Sequence, residues 1–175
     1  MGSLSLRPLT KAGAYEVEHW FDHPDVDRRL GGRFWIHRAV RLLAERPGEF
    51  RGRQVLRTYG WLADDPDGVP VAHIGGEVYD RWVRYHGEGR PLTGEIRAVT
   101  MSLGYVVDPA RWRQGHGRAA IETVLAHPDV ADVELWVCGI DPDNTASRRC
   151  AESAGFRLTD PAPDFEDVLY YQRFS

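Results

Sequence analysis

The stretch Val107-Asp108-Pro109-Ala110-Arg111-Trp112-Arg113-Gln114-Gly115-His116-Gly117-Arg118 decides how the chain reads. Ahead of it, Val99, Met101, Leu103, Tyr105 and Val107 place large apolar side chains at every second position, the period of a strand. Behind it, Gly117, Ala120, Ile121, Val124 and Leu125 share one face of a helix at 3.6-residue spacing. A strand passing through Gly-x-Gly into a helix aims backbone N–H groups at one point, and the positive end of the helix dipole adds to them. Glycine suits such a turn because a Cβ would hold an anion's oxygens off the main chain. The result is an anion cradle of a size for a diphosphate.

The surroundings exclude two common phosphate folds. A dinucleotide fingerprint places Gly-x-Gly-x-x-Gly early in a βαβ unit. Ala120 in the third glycine position is tolerable there, but this turn lies past the middle of the chain with no βαβ unit ahead of it. A Walker loop needs Gly-Lys-Ser/Thr, and none occurs.

The segment, with its sequel, resembles the GNAT N-acetyltransferase superfamily. Trp112-Arg113-Gln114-Gly115-His116-Gly117 is similar to that family's acyl-CoA pyrophosphate loop, Gln/Arg-x-x-Gly-x-Gly/Ala. Downstream, Asn144-x-x-Ser147-x-x-x-x-Glu152-x-x-Gly155-Phe156 resembles its second cofactor segment, in the form of the RimJ/RimL-like and aminoglycoside-acetyltransferase-like branches. The resemblance implies acetyl-CoA as co-substrate. It places the backbone of Tyr105 and Val107 beside the pantetheine arm, in the manner of an added strand. Gln114, Gly115, His116 and Gly117 would surround the pyrophosphate, with the His116 side chain pointing outward. Arg113 and Arg118, and behind them Arg111, are candidates for phosphate ion pairs. Trp112 departs from the family's Gln or Arg and is expected to stack on adenine or cap the helix. Asn144 would bond the pantetheine amides or serve as a plain N-cap.

Acetyl transfer to an amine needs a base, because an alkyl amine of pKa ~10 is nucleophilic in only about one molecule per thousand at neutral pH. The family's usual glutamate aligns with Ser102, so the base stays open among Glu95, Glu77 and water. The tyrosine acid common in the family is Ala151 here. By resemblance Ser147, three residues after Asn144, would protonate or hold the departing thiolate. Trp20, Phe21, Asp22, Glu77 and Tyr85, with neighbours His86 and Glu88, are expected to line the acceptor side.

Composition narrows the class further. A net charge of −4 and a pI near 6 give no basic footprint for nucleic acid or an anionic membrane. No apolar run approaches the ~20 residues of a membrane span, and the opening residues are not expected to lead a signal peptide. Cys138 and Cys150 are expected as buried, unpaired thiols of a cytoplasmic protein, and no Cys/His cluster has metal spacing. The partner expected is a small-molecule amine, with a monomer or a homodimer equally open. A catalytically silent acyl-CoA-binding module and a protein N-terminal acetyltransferase are the alternative readings.

The element order reads as one domain over 1–175, an α/β fold of the α+β, mixed-sheet kind. A strand spans Leu4–Leu9, and a Thr10-capped helix runs to about Phe21. Asp22-His23-Pro24-Asp25 reads as a break and Gly31-Gly32 as a second loop. Then come a helix over Arg33–Glu45, a hairpin of Gln54–Ala63 with Val69–Trp82, and a polar insertion over Arg84–Gly94. The motif-bearing strand–helix–strand–helix comes next, then a last strand, Val168–Phe174. The resemblance implies a mostly antiparallel GNAT-like sheet in which two neighbouring strands splay apart.

Overall fold

The computed structural model describes residues 3–83 and 94–175, so Tyr85, His86 and Glu88 lie outside the described residues. Within them the order is β1 (Ser5–Pro8), α1 (Lys11–Val17), α2 (Pro24–Leu30), α3 (Phe34–Ala44), β2 (Glu49–Phe50), β3 (Arg53–Asp64), β4 (Pro70–Tyr79), β5 (Thr100–Val107), α4 (His116–Leu125), β6 (Leu135–Ile140), α5 (Thr145–Ser153), β7 (Arg157–Leu158) and β8 (Leu169–Phe174). The strands hydrogen-bond in the order β1-β3-β4-β5-β6-β8-β7, with β2 beside β3. β1–β3, β6–β8 and β7–β8 are antiparallel and β5–β6 is parallel. This is the expected mixed sheet.

The parallel ladder joins Thr100–Ser102 to Leu135–Val137, whereas β6 continues to Ile140. The two strands therefore part after Ser102 and Val137, which is the splay the resemblance implied. β5 departs from simple alternation. Met101 and Leu103 are buried, but the next buried residue is Val106, while Tyr105 and Val107 are half-buried. The in–out phase slips by one residue past Leu103, as an extra residue in a strand makes it do.

The chain forms two compact units, Met1–Arg46 with Thr58–Gly75 and Tyr105–His127, and Pro47–Arg57 with Gly76–Gly104 and Pro128–Ser175. In the first, Leu9, Ala14, Val17, Trp20, Phe21, Ile36, Leu62 and Val106 make the core, with Trp35, Ala39 and Leu43 packed against it. Thr10 caps α1 by accepting from the Gly13 N–H at 3.1 Å. The α-helix stops at Val17 and tightens into a 3-10 turn over Glu18–Asp22, which carries Trp20 and Phe21 into the core.

The expected break at Asp22–Asp25 is corrected: a seven-residue helix, α2, begins there. Pro24 sits at its first turn, where a missing N–H costs nothing, and the His23 imidazole caps the Asp25 N–H. Gly31 ends it in the left-handed conformation, its N–H on the Asp27 carbonyl.

His73 on β4 is buried in the same unit, its Nδ1–H donating to the Trp61 carbonyl at 3.0 Å. Burial pushes this imidazole down to about 4 from its ordinary 6.5. The unfolded chain takes up the proton first as pH falls, so the stability present above pH 6.5 drains away toward pH 4. At pH 5 the loss is about 2 kcal/mol. Urea unfolding at pH 7 and pH 5 is expected to show this loss in the wild type and not in His73→Gln. An equal loss in both would place its origin elsewhere.

In the second unit Tyr79, Trp82, Leu135 and Val137 form a core, flanked by Val55, Ile96, Ala98 and Tyr170. The Arg53 guanidinium, almost wholly buried, lies 4.4 Å from the ring centres of both Tyr79 and Trp82. Arg148 of α5 donates to the Tyr171 hydroxyl at 2.9 Å, and Tyr171 stands opposite Cys138 in the β6–β8 register. α5 thus packs on the Cys138–Tyr171 face, leaving Val137 and Tyr170 on the other. Burial raises the Cys138 thiol far above its usual pKa, which argues against an acyl carrier there. Cys150, expected in the core, is only half-buried, and neither cysteine is in a disulfide among the described residues.

Candidate active site

The turn after β5 is held from several sides within the first unit. The Asp108 N–H donates to the Val71 carbonyl at 2.9 Å, and the Asp108 carboxylate caps a 3-10 turn, Pro109–Arg111, by accepting from the Ala110 N–H. Arg111 reaches Asp65 at 3.8 Å, which commits to the scaffold a side chain that sequence offered to phosphate. The Trp112 indole N–H donates to the Val107 carbonyl at 2.9 Å, and its ring meets His23 edge-on at 4.5 Å.

Beyond Trp112 the backbone turns twice into the left-handed region, at Arg113 (φ 63°) and at Gly115 (φ 84°), which is the N-cap of α4. Gly115 does this freely; for Arg113 it is an uncommon conformation. Among the described residues no acceptor takes the backbone N–H groups of Gln114, Gly115, His116 or Gly117. The helix start supplies such orphan donors by its nature, and here they are left for something else. His116 does not point outward as expected. It is half-buried and its Nδ1 is shielded from solvent without a partner, an unmet polar atom beside unmet amides. These groups fit a diphosphate. Arg118 is paired with Glu122 at 2.7 Å, while Arg113 is exposed and has no carboxylate partner among the described residues.

The second unit holds the other candidates. Asn144 is the N-cap of α5, its Oδ1 accepting from the Ser147 N–H at 3.1 Å. That bond commits the oxygen and leaves the amide NH2 as the group for a ligand. Ser147 lies half-buried in the first turn of α5, and Ala151 is a buried methyl in its core.

Glu77 and Tyr79 alternate onto one face of β4, and the Tyr79 hydroxyl donates to the Glu77 carboxylate at 2.5 Å. Tyr79 packs with Val137, and Ser102 is the register partner of Val137, so Glu77 and Ser102 share that face. The strands approach closely: a Cβ on Gly76 would lie 1.7 Å from the Ser102 oxygen. A carboxylate therefore stands on the strand next to Ser102, the position where the resembled family has its own. Glu95 is engaged differently, with Arg97 at 2.9 Å and Arg81 at 3.6 Å, in a surface groove with Asp80 and Glu134.

Trp20 and Phe21 are core residues, with their side chains turned from solvent. Asp22 is exposed and fork-bonded to Arg33, which holds its carboxyl below the usual range; Arg33 also reaches Glu18 at 2.8 Å. Sequence reasoning did not find the parts played by His23, Asp65 and Tyr79. Only Tyr79 had a local signal, its two-residue spacing from Glu77. Among the described residues no cluster has the make-up of a metal site, and no helix is long and apolar enough to cross a membrane.

The family profile of the acetyltransferase (GNAT) domain matches residues 3–157. An uncharacterized N-acetyltransferase, YfmK, of Bacillus subtilis (strain 168) is 29% identical over 157 residues, 87% of this chain and 84% of that one. Among solved structures, the aminoglycoside N(6')acetyltransferase of Legionella pneumophila superposes with a TM-score of 0.67 at 14% identity, over 99% of this chain and 93% of that chain. RimJ of Mycobacterium smegmatis, in complex with CoA-disulfide, gives 0.64 at 17% identity, over 99% and 83%. These two likenesses concern the fold. With the match over residues 3–157, the chain belongs to the GNAT family of acetyltransferases, enzymes that use acetyl-CoA.

Proposed function

We propose that the enzyme moves an acetyl group from acetyl-CoA directly to a primary amine on a small cationic molecule, within one ternary complex and one domain. The observation that carries this reading is the Glu77 carboxylate, on the face and next to the strand of Ser102. A carboxylate there serves a cationic amine twice, attracting the ammonium and then taking its proton directly or through water. The freed lone pair attacks the thioester carbonyl, the C–N bond forms and the C–S bond breaks. The nitrogen's second proton leaves as the C–S bond breaks and reaches the thiolate through the Ser147 hydroxyl or solvent, so that the serine ends protonated. The unpaired amides from Gln114 to Gly117, with the exposed Arg113 beside them, support the diphosphate end of the cofactor, and Asn144 the pantetheine. Cys138 and Cys150, neither in a disulfide among the described residues, support a cytoplasmic setting.

The test is release of CoA thiol from acetyl-CoA with three sets of acceptors: polyamines, aminoglycosides, and peptides with a free N-terminus. At least one of the two small cationic sets is expected to accelerate release more than tenfold over acetyl-CoA alone. Acceleration by peptides only would transfer the reading to protein N-termini. Tight CoA binding with no acceleration by any set would leave a silent binding module.

A further inference from the structure

We propose that Trp112 is a positioning residue that locks the pyrophosphate turn in its binding shape before any ligand arrives. The inference rests on the reading of that turn as the acetyl-CoA loop. Trp112 is 37% exposed, so core burial does not account for it. Its two contacts do. The indole N–H reaches back five residues to the Val107 carbonyl, closing the chain from the end of β5 over the Pro109–Arg111 turn. The ring rests against His23, whose own imidazole is fixed by capping the Asp25 N–H of α2. One side chain thus ties the strand end, the helix start of α2 and the turn together.

The backbone immediately after Trp112 needs such a tie. Arg113 stands in the left-handed region without being glycine, a conformation that persists when neighbours enforce it. If Trp112 lets go, Arg113 has cheaper conformations available, and the amides of Gln114 to Gly117 no longer converge. Affinity for the diphosphate then drops by the cost of re-forming the turn on binding.

The experiment compares the wild type with Trp112→Phe, which keeps a ring against His23 and deletes the N–H. The probe is coenzyme A itself, titrated by calorimetry, alongside hydrogen exchange of the ligand-free proteins. The variant is expected to bind CoA about tenfold more weakly, the worth of roughly one hydrogen bond. The loss should fall on KM for acetyl-CoA rather than on kcat. The bonded amides around the turn, Arg111 on the Asp108 carbonyl and Ala119 on the Gly115 carbonyl, should exchange faster in the free variant, with those of β6 and β8 unaffected. Wild-type affinity in the variant would overturn the proposal. Weakened affinity with unchanged exchange would overturn it too, since Trp112 would then be touching the ligand rather than shaping the turn. A wild type that binds no CoA would instead sink the cofactor reading, a failure seen in the first titration and separate from the other two.

Discussion

Glu77→Gln is expected to lower kcat/KM for the best amine acceptor by about 10²- to 10⁴-fold at pH 7, the usual worth of a positioned general base. The amide matches the carboxylate in size and can still accept from the Tyr79 hydroxyl, so the fold is spared while the proton acceptor is lost. The deficit should shrink as pH rises, because an amine of pKa ~10 sheds its own proton tenfold more often with each unit. A purely structural role would give a deficit that ignores pH. Glu95→Gln is the informative comparison. Its carboxylate is already committed to Arg81 and Arg97 on the surface, where an ion pair is worth little, so a small change is expected. Pre-steady-state measurement of CoA release across pH 6 to 10 would decide between them. If Glu95→Gln shows the larger, pH-dependent deficit, the base lies in the surface groove and the assignment of Glu77 falls.

How far the chain can be read in advance depends on how local each determinant is. The strand–turn–helix from Val99 to Leu125 is legible because its signals, two-residue alternation, a glycine turn and a 3.6-residue stripe, all lie within the segment. α2 escapes the sequence reading although its signals are present. Pro24 reads as a breaker, yet at a first turn proline is a starter, and the cap acceptor is a histidine rather than the usual Ser, Thr, Asp or Asn. Trp20 and Phe21 obey a different logic: their tightening into a 3-10 turn buries them, and helical periodicity does not announce that change. The juxtaposition of Glu77 with Ser102 needs the strand order and the β5–β6 register, which are long-range facts. The buried face of His116 and the Trp112 tie depend on the turn's actual path, and no residue pattern encodes that path.

Gly76→Ala is expected to lower Tm by about 10 °C, a cost of roughly 3 kcal/mol or more for a chain of this size. The added Cβ would sit 1.7 Å from the Ser102 carbonyl oxygen and 2.9 Å from its carbon. Backbone cannot rotate aside as a side-chain tip can, so β4 and β5 must separate and lose ladder bonds. Two other glycines isolate this cause. Gly68 is left-handed (φ 78°) with nothing within 4 Å, so Gly68→Ala carries only the conformational cost of about 1 kcal/mol. A Cβ added at Gly75 would meet the Tyr59 carbonyl oxygen at 2.4 Å, so Gly75→Ala should destabilise about as much as Gly76→Ala, but against β3 rather than β5. The pair therefore separates fold from function. β5 leads from Ser102, where it parts from β6, through the slip past Leu103 to Val107, where the cofactor turn begins. Pushing on Ser102 should weaken CoA binding well below the melting transition, and pushing on Tyr59 should not. Equal affinity in Gly75→Ala and Gly76→Ala would mean that the start of β5 has no hold on the cofactor.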